Sequence, residues 1–237
     1  MKVTIILASI LFIFTSTSIA QAQIEAIGVE DILLKLRLKD DVEGLRNNTY
    51  QNIEGNPFMF EDFKKGNIKL KDDEIFEEMV QFDKYAGEIH FKKENDIYAI
   101  AFPEKIEYIE MGDVRFIYSL FKLSESKPVN EQGAYFVVLF DNKCKVLAKK
   151  NTDLKSAQPS NGIAEAKPAK FIDLNDSYFF KLDSLPAVRI NSKKDLTLFF
   201  KGKGSGIPEF IKKENIKFKN TEDLKRLAEF YNQQLNQ

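Results

Sequence analysis

Between residues 66 and 123 apolar side chains alternate with charged ones, and the rhythm breaks about every ten residues. Ile68 and Leu70 alternate with Asn67, Lys69 and Lys71; Val80 and Phe82 with Gln81 and Asp83; Ile89 and Phe91 with Glu88, His90 and Lys92. A period of two puts successive residues on opposite sides of an extended chain, so these runs predict strands. The breaks at Asp72-Asp73, Ala86-Gly87, Glu94-Asn95-Asp96, Phe102-Pro103 and Gly112-Asp113 carry the residue types that supply turn geometry. Further strands are expected over 97–102, 105–111 and 114–123, the last with Val114, Phe116, Tyr118 and Leu120 at period two. The expectation is an antiparallel meander, oily on one face and wet on the other.

Residues 134–140 are continuously apolar, which predicts a strand covered on both sides; Asp141-Asn142-Lys143 turns the chain and 144–149 returns it. Residues 150–168, rich in Asn, Ser, Ala, Pro and Lys, read as a long exposed loop or a poorly ordered excursion. Strands follow over 170–174, 177–182 and 187–190, and then the period changes. Ser192 with Asp195 resembles a capping box, Leu196, Phe199 and Phe200 share a helix face, and Gly202 is placed to end the turn. Pro208 suits the first turn of a short second helix carrying Phe210 and Ile211. A third helix is capped by Asn220, with Glu222 and Asp223 at the positive end of its dipole. Leu224, Leu227, Ala228, Tyr231 and Leu235 form its apolar stripe, expected to pack on the sheet or on the Ser192 helix.

The fold class is therefore mainly β (α+β): an antiparallel meander forming a curved sheet, sandwich or partly open barrel, with a short C-terminal helical segment. Residues 50–190 form the β domain and 191–237 the helical segment packed on it. Residues 23–48 stay open between strand and helix, because Leu34, Leu36 and Leu38 alternate with Lys35, Arg37 and Lys39 while Glu30 and Asp31 suit a helix start. Before them, Lys2 precedes an apolar and hydroxyl stretch over 3–19 with small residues behind it, as in a cleavable secretory signal over 1–20. Cleavage after Ala20 or after Ala22 fits equally. The strongly apolar part, 3–14, falls short of the ~20 residues that a helical membrane span needs.

Composition narrows the partners. The 35 basic and 36 acidic residues nearly cancel, which argues against attachment to nucleic acid through a strong field. One cysteine excludes an internal disulfide. The chain holds 21 phenylalanines and no tryptophan, so aromatic burial is expected to dominate its stability, at about 1.5–3 kcal/mol for each fully buried ring.

No catalytic, cofactor or metal constellation emerges. His90, the sole histidine, lies by alternation with Glu88 and Lys92 and is expected to face water. Cys144 alternates with Val146 and Ala148 as a small buried hydrophobe would; a reactive thiol would need help from Lys143 or Lys145. Gly202-Lys203-Gly204-Ser205-Gly206 lacks the Ser or Thr of a phosphate loop and the spacing of a nucleophile elbow, and reads as a helix connector. Asp72, Asp73, Glu74, Glu77 and Glu78 lack the ligand order of a calcium loop and read as a solvated hairpin end. Lys201, Lys203, Lys212, Lys213, Lys217 and Lys219 read as wet helix faces.

Several phrases together resemble a family of small exported bacterial proteins without assigned activity: NIEGNPF at 52–58, GNIKL at 66–70, PEKIEYI at 103–109, Phe116-Ile117-Tyr118, KPAKF at 167–171, DSYFF at 176–180, and the tail from FIKKENIKF at 210–218 through Asp223-Leu224 to Tyr231-Asn232. The resemblance implies export and a shared fold and carries over no site residues. The expected function is a non-enzymatic binding or structural module of the cell envelope or extracellular space, engaging an envelope component or a protein partner. The alternative is an envelope hydrolase using an Asp/Glu pair, which requires two carboxylates across a concave pocket with one pKa raised by burial. An adaptor docking through 150–168 is the third reading.

Overall fold

The computed structural model describes residues 50–93, 96–160 and 165–235; the expected signal over 1–20 and the open segment 23–48 lie outside the described residues. The strands are β1 (Ile53–Glu54), β2 (Lys64–Leu70), β3 (Ile75–Asp83), β4 (Glu88–Lys93), β5 (Asp96–Ala99), β6 (Ile106–Met111), β7 (Val114–Ser119), β8 (Phe121–Lys122), β9 (Ala134–Phe140), β10 (Cys144–Lys155), β11 (Ala169–Leu182) and β12 (Ala187–Ile190). Three helices follow, α1 (Lys193–Phe200), α2 (Ile207–Lys213) and α3 (Thr221–Gln234). The protein is mainly β: a twelve-strand, largely antiparallel sheet curled as a half-barrel, with three C-terminal helices.

The sheet order is β5-β4-β3-β2-β6-β7-β9-β10-β11-β12-β8, with β1 added in parallel to β11. The succession of hairpins breaks between β5 and β6, where residues 100–105 carry the chain back across β4, β3 and β2, and again at β8, which pairs with β12 instead of β7. In a flat sheet Ala99 and Ile106 would lie ~30 Å apart, whereas the seven steps between them span at most ~25 Å. Curvature is thus a requirement of the connection.

Ring contacts give the direction of the curl. Phe82 on β3 and Phe116 on β7 lie three strands apart, ~14 Å in a flat sheet, yet their ring centroids are 5.0 Å apart. The first half therefore wraps around Ile68, Val80, Phe91, Ile109 and Phe116. In the second half the curvature reverses: Phe136 on β9 and Phe179 on β11 meet at 4.8 Å across β10, on the opposite side of the sheet. Only Leu120 separates β7 from β8, and β8 pairs with β12, so strands β7 to β12 close into a narrow ring. Phe136, Leu147, Phe179 and Ala187 fill it, with Phe121 and Ile117 against them. β9 serves both halves, with Tyr135 and Val137 in the first cluster and Phe136 and Val138 in the ring, which accounts for its unbroken apolar run.

The helices cover the outer side of the ring, where Val146, Phe180, Val188 and Ile190 meet Leu196, Phe199, Leu224 and Leu227. Ser192 caps α1 by accepting from Asp195 N at 3.2 Å, and Asn220 caps α3 by accepting from Asp223 N at 3.1 Å. The stripe of α3 is buried at Leu224, Leu227, Ala228 and Tyr231, whereas Leu235 is 43% exposed because the helix ends beside it. Asn232 takes the buried place that the stripe left open. Its Oδ1 accepts from Cys144 N at 2.8 Å and its Nδ2 donates to Cys144 O at 3.2 Å. This side-chain amide pairs the first peptide groups of β10 as a neighbouring strand would.

The expected loop over 150–168 is corrected in part: β10 runs on to Lys155 and β11 starts at Ala169, with Gln158 and Lys167 bridged beyond them. Residues 161–164 lie outside the described residues. The extension folds over the first half of the sheet, where the Phe171 ring meets Tyr50 at 5.1 Å and Tyr85 at 5.2 Å. Phe171 is buried but shares its side with the polar Asp173, while Leu174 is 52% exposed, so period two is hard to see there.

Candidate functional site

The longest hairpin of the sheet builds the site. β10 and β11 pair from Cys144↔Leu182 to Lys155↔Lys170, with a register shift between Lys149 and Asn151 opposite residues 175–176. Such a bulge re-aims the side chains beside it. Asn151 stitches it closed: its amide nitrogen faces Asn175 O at 2.9 Å, Ser177 Oγ at 3.1 Å and Lys149 O at 3.2 Å. Arg189 enters from β12 and donates from Nη2 to Ser177 Oγ at 3.0 Å. Lys149 donates to Asn151 Oδ1 at 3.4 Å. Lys149, Asn151, Ser177 and Arg189 thus form one chain of contacts at the mouth of the ring, next to Leu147 and Phe179 of its filling.

Charge is unbalanced here. Burial first, and then the neighbouring Arg189, push the Lys149 pKa below the ordinary lysine value. Neither cation has a carboxylate partner among the described residues, and Arg189 Nε is buried without a hydrogen-bond partner. Two nearby acids are engaged elsewhere: Asp176 with Lys150 at 2.8 Å, and Asp173 with Lys84 at 2.5 Å and Thr152 Oγ1 at 2.8 Å; the exposed Glu131 lines the groove beside Lys149. The Ser177 oxygen has both lone pairs faced by N–H groups, so its own proton is left without an acceptor among the described residues. The arrangement is a set of donors with spare capacity.

Open grooves flank it. One, of about 610 Å³, has Lys149 in its wall with Phe82, Tyr85, Phe121 and Tyr135. The Tyr135 hydroxyl is buried without a hydrogen-bond partner among the described residues, and burial pushes its pKa well up. The other, of about 660 Å³, has Ser177 and Arg189 in its wall with Tyr178 and Phe218. At the far mouth of the ring lies a third groove, also about 660 Å³, lined by Arg115, Asp141, Lys145 and Lys181. There Lys145 pairs with Asp141, Arg115 pairs with Glu110 at 2.7 Å, and Lys181 donates to Leu185 O at 2.5 Å.

The structure places the residues singled out from the sequence elsewhere. His90 does share a side with Glu88 and Lys92, but it is 6% exposed instead of facing water. The segment before β2 covers that side: Gln81 Nε2 donates to Phe60 O at 3.1 Å, and the Phe58 ring stands 6.3 Å from the imidazole. Cys144 is fully buried as the first residue of β10, and burial pushes its thiol far up, which leaves no reactive thiolate. The glycine-rich stretch 202–206 joins α1 to α2, and Lys203 lies 4.2 Å from the Phe199 ring centre. Asp72, Asp73, Glu74 and Glu77 are exposed at the β2–β3 hairpin; Asp73 pairs with Lys69 at 2.6 Å and Glu77 with Lys65 at 2.9 Å. Asp73, Glu110 and Asp173 are held below the usual range by hydrogen bonds from Lys69, Arg115 and Lys84. A general acid needs the opposite shift.

Sequence reasoning missed Lys149, Asn151, Ser177 and Arg189. The residue types at 149–151 and 175–177 read as strand ends, and only the pairing of β10 with β11 turns them into one bulge. Comparison with protein-family models, curated proteins and solved structures gives no match. The class that the fold defines is a mainly β half-barrel with a helical cover.

Proposed function

We propose that this protein is an exported, non-enzymatic binding module of the cell envelope or extracellular space. The leader-like residues 1–20 support export. The observation that carries the binding reading is the half-buried pair Lys149 and Arg189, without a carboxylate partner among the described residues, at the bulge between two grooves. Burying charge without a partner costs stability, and proteins keep such groups where a ligand compensates them.

Two measurements test the reading. N-terminal sequencing of the protein recovered outside the inner membrane of a bacterial host is expected to start at Gln21 or Gln23; an intact chain retained in the cytoplasm overturns export. A thermal-shift screen against neutral, cationic and anionic envelope fragments is expected to give saturable stabilisation by at least one, recovered chemically unchanged. Turnover of the fragment overturns the non-enzymatic reading, and a flat response across the panel overturns binding.

A further inference from the structure

We infer that the mouth of the ring at Lys149, Asn151, Ser177 and Arg189 is an oxyanion-binding site, and that the apolar body attached to that oxyanion lies in the aromatic-walled groove beside Lys149. The inference deepens the binding reading and rests on it. Three observations converge. Two cations flank Ser177, Lys149 opposite it in the strand register and Arg189 bonded to its oxygen, without a carboxylate partner among the described residues. The Ser177 hydroxyl accepts from Asn151 and Arg189, so its proton is the group left to donate. Asn151 is held by the carbonyl oxygens of Lys149 and Asn175, so the serine and the lysine are positioned before any ligand arrives.

An oxyanion is the group that accepts from all three donors at once. Its charge offsets the repulsion between Lys149 and Arg189, its oxygens accept from ammonium and guanidinium, and Ser177 adds an O–H bond. A neutral carbonyl would leave the two cations uncompensated, and a metal cation would be repelled. The groove beside Lys149 adds ring surface to the ionic contacts, because Tyr85, Phe121 and the buried ring of Tyr135 stand in its otherwise polar wall of Lys84, Asn130, Glu131, Gln132 and Lys150. The occupant this describes is a small carboxylate, phosphate or sulfate ester with an apolar substituent.

The test is thermal shift and titration calorimetry on the purified protein with acetate, inorganic phosphate and sulfate, against chloride at matched ionic strength. Phenylacetate and phenyl phosphate then probe the groove. The expected result is saturable stabilisation by at least one oxyanion, tighter binding of its phenyl derivative, and at least ~10-fold weaker binding in Lys149→Met and Ser177→Ala. Lys145→Met, at the far mouth, is expected to bind as the parent does. A response to phosphate without acetate assigns a phosphate or sulfate group, and the reverse a carboxylate. Lys149→Met removes an unpartnered, half-buried charge, so it is expected to fold; Ser177→Ala supplies a second readout that leaves the charge in place. Equal shifts in chloride, or affinities in both variants within twofold of the parent, overturn the site. Saturable binding of a neutral fragment that survives both variants overturns the oxyanion site while leaving the binding reading intact.

Discussion

The two mouths of the ring are built from the same strands and behave differently. Along β10 the inward positions run Lys145, Leu147, Lys149, and along β11 Lys181, Phe179, Ser177, so Leu147 and Phe179 separate one basic end from another. At the far end Asp141 sits with Lys145 and Arg115, and the Leu185 carbonyl takes Lys181. At the bulged end Asp176 and Asp173 are drawn away to Lys150 and Lys84, and Lys149 and Arg189 keep each other's company. One hairpin therefore holds a neutralised end and a charged one. The register makes the difference: Lys149 lies opposite Ser177, whereas Asp176 falls in the bulge opposite Lys150 and pairs with it.

The largest perturbation of this contrast is removal of what separates the ends. Phe179→Ala empties the centre of the ring and is expected to cost about 3–5 kcal/mol of stability in urea denaturation; a cost below ~1 kcal/mol would show that the ring filling is not a packed core. Ser177→Asp gives the bulged end the carboxylate that the far end already has. It is expected to stabilise by about 1–3 kcal/mol through charge-assisted bonds to Arg189 and Lys149, and to abolish the oxyanion response in thermal shift. Persistence of that response would break the comparison.

Lys149→Met has a smaller effect whose sign depends on pH. The folded-state pKa of Lys149 lies below its ordinary value of 10.5, so between the two values the unfolded chain binds more protons and stability rises with pH. The variant is therefore expected to melt higher than the parent at neutral pH, by about 2–4 °C if the relief is near 1 kcal/mol, with the advantage shrinking as pH approaches 10.5. Paired melting curves at pH 7 and pH 10 check it; an advantage that grows with pH contradicts the assignment. Asp141→Asn is the smallest change. Its partners are solvated, so a loss of about 0–1 kcal/mol in urea denaturation is expected, and a larger loss would mean that the far mouth is more tightly coupled than its exposure implies.

Much of the sheet was legible in the chain. Turn residues at 72–73, 86–87, 112–113 and 141–143 mark observed hairpins, and the strands over 134–140 and 187–190 match residue for residue, because a strand half covered by a core must alternate and one covered on both sides cannot. The helix caps at Ser192 and Asn220 were readable because capping is a local contact, three residues long. His90 shows where this stops. Its side of β4 follows from period two, but the segment that covers that side comes from before β2, some thirty residues earlier.

Local order, then, was set by the sequence alone: a β chain with hairpins, a buried cysteine and three helices, two of them capped by side chains, since each depends on neighbours within a few positions. The tertiary structure decided the reversal of curvature at β9, the closing of β7 to β12 into a ring, and the meeting of Lys149, Ser177 and Arg189 at its mouth. These depend on register between strands up to 66 residues apart, and a shift of one residue would turn every one of those side chains to the other side of the sheet.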